Sequence, residues 1–370
     1  MIAEVMNMKA DKEKTGTYLM IALSAAGFFL CLIRPQETGK AAAEGIGRCL
    51  GVIIPSLYAV MVMSQLFIRS GAADRTAPFF SLAGRLFGMN GDEFAVFVFS
   101  SLAGYPVGAK MLCGRAEQGR INSERGSLLC GLCFGAGPSF IYGCIAAQLY
   151  GSTWTGRAVM LSCAAANIIL GLVFSPLLRK GRTDSEYGSK AESSAEMFTE
   201  CVSESGRSVL EICFAVVIFA VIAEMIRSCG AVQALCGFLS EVSGRSEHCV
   251  SAILGAILDV TAVSELPSKD YSLLPVISAL VSFGGVCVFF QLRTIIRGRF
   301  SMGRIVGLRI AAAFISYIVC RIITPLLITG KVVEAASVSA SVHKAQSPVP
   351  SVLLIIMTVI LIARNEKTVK

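Results

Sequence analysis

The feature that most limits the fold of this chain is a series of apolar runs long enough to cross a lipid bilayer. A helix needs about 20 consecutive apolar residues to span the hydrocarbon core, and such runs recur along most of the sequence. They are continuously apolar and lack the alternation of a membrane β-barrel strand. The sequence therefore predicts an all-α protein, a polytopic bundle of transmembrane helices.

The composition supports a membrane protein and excludes several other classes. Charged residues make up 16% of the 370 residues, whereas about 25% is usual in a soluble domain. The 33 Lys and Arg exceed the 25 Asp and Glu, but no soluble domain collects them, as nucleic-acid binding would require. We therefore expect the lipid bilayer as a partner, and neither a soluble enzyme nor a nucleic-acid-binding protein.

We predict about eight spans, separated in places by less regular apolar stretches. The predicted spans cover about residues 17–33, 50–68, 126–149, 157–178, 208–226, 271–292, 305–329 and 349–363. The less regular stretches are 94–112, 231–243 and 250–266. Arg34 and Pro35 follow the first run where a signal peptide would have a cleavage site, so we expect a retained helix.

These elements divide the chain into five predicted segments. They are an N-terminal tail with the first transmembrane helix (1–44), a first membrane repeat (45–178), a polar cytoplasmic linker (179–207), a second membrane repeat (208–330), and a loop with a C-terminal transmembrane helix (331–370). The linker is rich in Ser, Glu and Gly, which is typical of a solvated segment.

The stretch 94–112 is predicted to form a re-entrant hairpin. If it enters and leaves the membrane on one side, more Lys and Arg lie in the cytoplasm than if it crosses, and the positive-inside rule favours that arrangement. Gly104, Pro106 and Gly108 lie in its middle, where they interrupt a simple helix.

In the second half, 231–243 and 250–266 are each shorter than a usual span and suit a second hairpin, entering from the outer side. The two halves would then be an inverted repeat, as in many secondary transporters. Simple spans are the alternative in both halves.

Four strings of residues stand out as candidates for a binding site. In Gly104 to Lys110 (GYPVGAK), glycine and proline free backbone carbonyls, with Tyr105 and Lys110 beside them. The alternative is a kinked helix packed through small residues, with Lys110 reaching the cytoplasmic interface.

The string 131–142 (GLCFGAGPSFIY) repeats this pattern at Gly137, Pro138 and Ser139, where a proline again interrupts the helical hydrogen bonds. Close helix packing through small residues is the alternative.

The other two strings lie in the second half. Asp259 and Thr261 belong to an apolar stretch, and a carboxylate at membrane depth usually faces a partner or a water-filled cavity. Gly284 and Gly285 either admit a close approach of the second hairpin or expose backbone to a ligand.

No hydrolase or nucleotide-binding motif occurs in the sequence. Cys130 and Cys133 form one CxxC, but a zinc site needs four ligands and the two histidines lie far away in sequence. We therefore expect no catalytic residues, no metal and no cofactor.

At GYPVGAK (104–110), GAGPSFI (135–141), GAILDVT (255–261) and SFGG (282–285), the chain resembles the YlbJ-type sporulation integral membrane proteins. These belong to the broader nucleoside-recognition, or Gate, family. The resemblance covers about residues 45–330. It implies a multi-pass inner-membrane protein of endospore-forming bacteria, needed for a resistant spore, with repeats similar to parts of concentrative nucleoside carriers and ferrous-iron permeases. Asp259 stands where we would expect Glu.

The expected function is therefore transport or sensing of a small polar solute, nucleoside-like or an ion, coupled to protons or sodium. The alternative is a scaffold that does not transport but positions other spore-assembly membrane proteins or a second copy of itself. We expect the site near the middle of the membrane, where Gly104, Tyr105, Pro106 and Gly108 of one hairpin meet Asp259 and Thr261 of the other.

Overall fold

The computed structural model describes residues 34–180, 194–228 and 230–329, together with part of 18–33. The chain divides into two compact units, 1–327 and 328–370, and the described residues belong to the first apart from 328 and 329. Every regular element in the described ranges is a helix. The all-α prediction is therefore confirmed for this part of the chain.

The helices of the described part are numbered in chain order. They are α1 (Pro35–Arg48), α2 (Ile54–Arg69), α3 (Ala72–Leu86), α4 (Gly91–Ala103), α5 (Tyr105–Glu117), α6 (Ser123–Leu132), α7 (Pro138–Phe140), α8 (Thr153–Lys180), α9 (Ser194–Arg227), α10 (Gly230–Ser243), α11 (Glu247–Leu258), α12 (Leu274–Phe283), α13 (Gly285–Ile296) and α14 (Met302–Thr329). A π-helical segment (Cys49–Ile53) joins α1 to α2, and another (Ile141–Tyr150) continues α7. Short 3₁₀ helices cover Val260–Glu265 and Tyr271–Leu273.

Four helical segments of the described residues are long and apolar enough to cross a membrane. They are Thr153–Lys180, Ala195–Arg227, Tyr271–Ile296 and Met302–Leu327, and each contains most or all of a predicted span. The predicted spans at 50–68 and 126–149 hold shorter or interrupted helices. The span at 17–33 is described only in part, and the one at 349–363 lies outside the described residues. A total of about eight spans therefore remains a prediction.

Two sets of polar contacts mark the two ends of the helical bundle. At the end that we call the linker end, Arg69 binds Glu200 and Glu204 at 2.6 and 2.7 Å. At the far end, Asp270 accepts from Arg245 at 2.6 Å and from the Tyr150 hydroxyl at 2.8 Å. The long helices α8, α9 and α14 connect these ends.

The helices α4 and α5 fold back on each other at Gly104. The carboxylate of Asp92, at the start of α4, pairs with Arg115 near the end of α5. A Cβ atom at Gly108 would lie 2.7 Å from that of Ser100. Both outer ends therefore lie at the linker end, as in a hairpin, and entry of this hairpin into a membrane from one side remains a prediction.

The sequence predicts a second hairpin made of 231–243 and 250–266. Residues 230–243 form the helix α10, which contacts α11. The chain turns again at Asp259, between α11 and the 3₁₀ helix, and Glu265 returns to Arg227 at 2.7 Å. Entry of this segment into a membrane from the outer side remains a prediction.

The predicted linker 179–207 contains helical residues at both of its ends. Arg179 and Lys180 are the last residues of α8, and α9 begins at Ser194. The ion pairs of Glu200 and Glu204 with Arg69 hold this first part of α9 against α2. Residues 181–193 lie outside the described part.

A buried ion pair joins the starts of two helices to the end of a third at the linker end. Arg125 and Glu93 are 3% and 2% exposed, and the guanidinium binds both carboxylate oxygens at 2.6 and 2.5 Å. Arg125 also donates to the carbonyls of Leu178 and Gly88. The pair therefore ties α4 and α6 to the end of α8.

We predict that Glu93→Gln lowers the free energy of unfolding by about 3–5 kcal/mol, because it leaves a buried guanidinium without its counter-charge. Glu124→Gln is the matched control, since Glu124 is exposed and pairs with Arg304 at 2.8 Å; its effect should stay below about 1 kcal/mol. Unfolding of the purified proteins in detergent measures both. Equal effects of the two variants would show that the buried pair contributes no more than a surface pair.

Candidate functional site

Four interruptions of helices meet inside the bundle, and we call them the break cluster: Gly104, residues 133–137, Asp259, and Gly284 with Gly285. A Cβ atom at Gly104 would lie 3.1 Å from the Gly137 nitrogen, and one at Gly284 would lie 2.6 Å from the Phe134 ring. One at Gly285 would lie 2.9 Å from the nitrogen of Val260, next to Asp259. The breaks of both halves of the chain are therefore in contact.

Glycine is required at these turns for two reasons. Gly104, Gly284 and Gly285 have φ of 97°, 93° and 83°, a region that costs other residues about 1–2 kcal/mol. The close neighbours of each also leave no room for a side chain. The two glycine strings predicted from the sequence thus admit a close approach of backbone to backbone.

Aromatic side chains fill the space between the breaks. The Tyr105 ring lies 4.9 Å from that of Phe134, which stacks on Phe289 at 5.5 Å. The Tyr105 hydroxyl donates to the carbonyl of Val281, near the end of α12. The break cluster is therefore closely packed in this structure.

Arg309 lies at the centre of the cluster and is fully buried. Its guanidinium donates to the carbonyls of Gly131, Phe134 and Ser282 at 2.8, 2.8 and 3.1 Å. It also donates to the Asn167 amide oxygen at 2.9 Å and the Ser282 hydroxyl at 3.0 Å. One side chain of α14 thus joins the broken ends of α6 and α12 to α8.

Sequence reasoning missed Arg309, because it counted this residue among the positive charges of a cytoplasmic loop. The sequence does contain a signal that could have identified this residue. Arg309 falls inside the predicted span 305–329, and an ionisable residue within a span usually faces the interior of a bundle.

Asp259 lies beside a second polar group of residues. It is 3% exposed, and its carboxylate accepts from the Thr261 nitrogen at 3.1 Å and the Thr261 hydroxyl at 2.6 Å. Arg48 donates to the same hydroxyl at 3.2 Å and lies 3.9 Å from both Asp259 and Glu265. The pairing of Asp259 with Thr261 therefore closes the turn, while Arg48 supplies a nearby positive charge.

Not every residue of the predicted site joins the cluster. Lys110 lies nearer the linker end, where it donates to the Ser208 hydroxyl at 2.9 Å and lies 3.7 Å from the Glu204 carboxylate. Ser139 is exposed. Pro106 and Pro138 each lie in the first turn of a helix, where the missing N–H costs no hydrogen bond.

Gly108 serves packing of the first hairpin against the end of α6, since a Cβ atom there would lie 2.6 Å from the Cys133 carbonyl oxygen. The remaining residues of the predicted site contact one another directly or through Phe134. These are Gly104, Tyr105, Gly137, Asp259, Thr261, Gly284 and Gly285.

Comparison with known proteins gives a partial similarity. The chain is 26% identical over 167 residues to the sporulation integral membrane protein YlbJ of Bacillus subtilis (strain 168). The match covers 43% of this chain and 40% of that protein, so the chain matches less than half of its relative's length. No family model matches the chain, and no solved structure matches it. The Gate-family part of the resemblance therefore stays a prediction.

We predict that Gly284→Ala destabilises the protein by more than the roughly 1–2 kcal/mol of a left-handed backbone, because the new Cβ also meets Phe134. Gly307→Ala is the control. Nothing lies within 4 Å of its added Cβ, and exchange of a helical glycine for alanine stabilises by about 0.5–1 kcal/mol. Thermal unfolding in detergent compares the two with the parent. A Gly284→Ala protein as stable as the parent would show that the breaks are loosely packed.

Proposed function

We propose that this chain is a sporulation membrane protein that binds a small polar solute at the break cluster and carries it across the membrane. The observation that supports this proposal best is the contact of four interrupted helices, two from each half of the chain, around buried Arg309 and Asp259. Secondary transporters bind solutes where discontinuous helices meet near the middle of the membrane. The resemblance implies a nucleoside-like solute or an ion.

The order of elements supports an inverted repeat of two membrane units. In the first half, a hairpin at the linker end (α4 and α5) is followed by a broken helix (α6 and α7) and a long helix (α8). In the second half, a hairpin at the far end is followed by a broken helix (α12 and α13) and a long helix (α14). The corresponding elements start from opposite ends, which is the arrangement that alternating access uses.

The link to sporulation rests on the partial similarity to a protein named for sporulation. The cell membrane of a sporulating bacterium is the location that this similarity favours. It does not indicate transport, which is proposed on the architecture alone.

A scaffold is the second candidate, and the close packing of the break cluster favours it. A protein of this kind would use its outer faces, such as the exposed apolar side of α3, where Phe79 is 84% exposed. Its partners would be spore-assembly membrane proteins or a second copy of the chain. A scaffold would keep its function after substitutions in the break cluster that would inactivate a transporter.

We predict that Asp259→Asn inserts and accumulates normally but yields heat-sensitive spores, because it removes the ionisable group and keeps the shape of the turn. Glu241→Gln on α10, where the carboxylate is exposed, is the matched control and should give resistant spores. Heat survival of spores, with protein amounts measured by immunoblot, provides the readout. Uptake by proteoliposomes, over a panel of nucleosides, metal ions and small acids, should fall in the same variant.

Two outcomes distinguish the transporter from the scaffold and from a protein without a role in sporulation. Resistant spores from Asp259→Asn, together with sensitive spores from a gene deletion, would favour the scaffold. Resistant spores from the deletion strain would remove the sporulation role and leave the fold unaffected.

We also predict that the linker end is cytoplasmic. In a background without other cysteines, Gln118→Cys should resist an impermeant thiol reagent added to intact cells, and Ser268→Cys at the far end should react with it. Both positions are exposed in the structure. Labelling of Gln118→Cys alone from outside would show the opposite orientation. Labelling of both positions would contradict the placement of the two ends on opposite sides of the membrane.

A further inference from the structure

The inference concerns the five oxygen atoms around Arg309. They are the carbonyl oxygens of Gly131, Phe134 and Ser282, the Ser282 hydroxyl and the Asn167 amide oxygen, all 2.8 to 3.1 Å from guanidinium nitrogens. All five are uncharged. Each carbonyl belongs to, or closely follows, the C-terminal turn of a broken helix, where the helix dipole is negative.

Such a group of oxygens has the composition of a monovalent cation site. In transporters with broken helices, carbonyls at unwound backbone and at half-helix C-terminal ends coordinate sodium. The oxygens here are held from three helices, α6, α8 and α12, and are sealed from solvent because Arg309 of α14 is fully buried.

The positive charge at this place is provided by the chain itself. A guanidinium is not deprotonated in a protein, and in the described part of the chain no carboxylate forms an ion pair with Arg309. Carbonyl and hydroxyl dipoles therefore balance the charge, and the Phe134 ring adds to this, since the guanidinium carbon lies 5.4 Å from its centre. A second cation could not bind the same oxygens, because the charge of Arg309 would repel it and the guanidinium already fills the space.

We propose that Arg309 is the resident cation of this oxygen site, in the place that sodium occupies in sodium-coupled carriers. This proposal rests on the proposed function in one respect only: if the break cluster transports a solute, these five oxygens bind no free sodium ion during transport. It also predicts that a neutral residue at position 309 turns the same five oxygens into a binding site for a free cation.

The test is the thermal unfolding of the purified full-length protein in detergent, in sodium chloride and in choline chloride of equal ionic strength. The parent should unfold at the same temperature in both salts. Arg309→Ala should unfold at a lower temperature and recover in a saturable way with added sodium or with millimolar guanidinium, each of which fits the vacated site. Ligand that binds only the folded state raises its stability in this manner.

Three further variants separate charge from packing. Arg309→Gln keeps hydrogen-bond donors but no charge and should gain the sodium response, whereas Arg309→Lys keeps the charge and should not. Arg321→Ala, on an exposed residue of the same helix, should behave like the parent.

Two results would overturn the proposal. One is stabilisation of the parent by sodium, which is measurable even if the neutral variants do not accumulate. The other is folded Arg309→Ala or Arg309→Gln protein that responds to neither sodium nor guanidinium. These measurements need no solute, so they succeed or fail separately from the uptake assays that test the proposed transport.

Discussion

The structure depends on how it satisfies backbone groups at helix breaks that lie inside a membrane protein. An unpaired carbonyl or N–H in hydrocarbon costs several kcal/mol, and this chain interrupts four helices in one place. Arg309 resolves the problem at two breaks by donating to carbonyls of both. Tyr105 satisfies a fourth carbonyl, near the end of α12, and at Asp259 the side chain itself accepts from the next turn. Three of the four interruptions therefore have side chains that form hydrogen bonds with backbone groups of the break.

The same contacts divide the bundle into parts. Arg309 joins α14 to α6, α8 and α12 through direct hydrogen bonds, so these helices form one hydrogen-bonded group. The two hairpins contact that group mainly through glycine backbone and aromatic rings, and they have their own ion pairs at opposite ends. Under the proposed transport, a change of access would separate the hairpins from this group, and the contact of Tyr105 with Phe134 would be among those that break.

The sequence was sufficient for features that depend on local chemistry. Four of the predicted spans coincide with long helices because a continuous apolar run has few alternatives in a bilayer. The interruptions at Gly104, Gly137 and Gly284 fall at glycine, with a proline one or two residues later in the first two, since these residues either permit or force a break. The failures concern long-range contacts. Lys110 could not be assigned to Glu204 and Ser208, which lie about a hundred positions away, and the return of Glu265 to Arg227 could not be predicted from the length of the apolar stretch.

Three of the five acceptors around Arg309 are main-chain atoms, and this has a consequence for how the sequence can vary. A carbonyl is present whatever side chain the residue carries, so exchanges at position 134 or 282 leave backbone acceptors in place. Joining these broken helices therefore requires an arginine at position 309, whereas most of its hydrogen-bond partners can change their side chains. Related sequences can diverge widely around position 309 and still join the same broken helices.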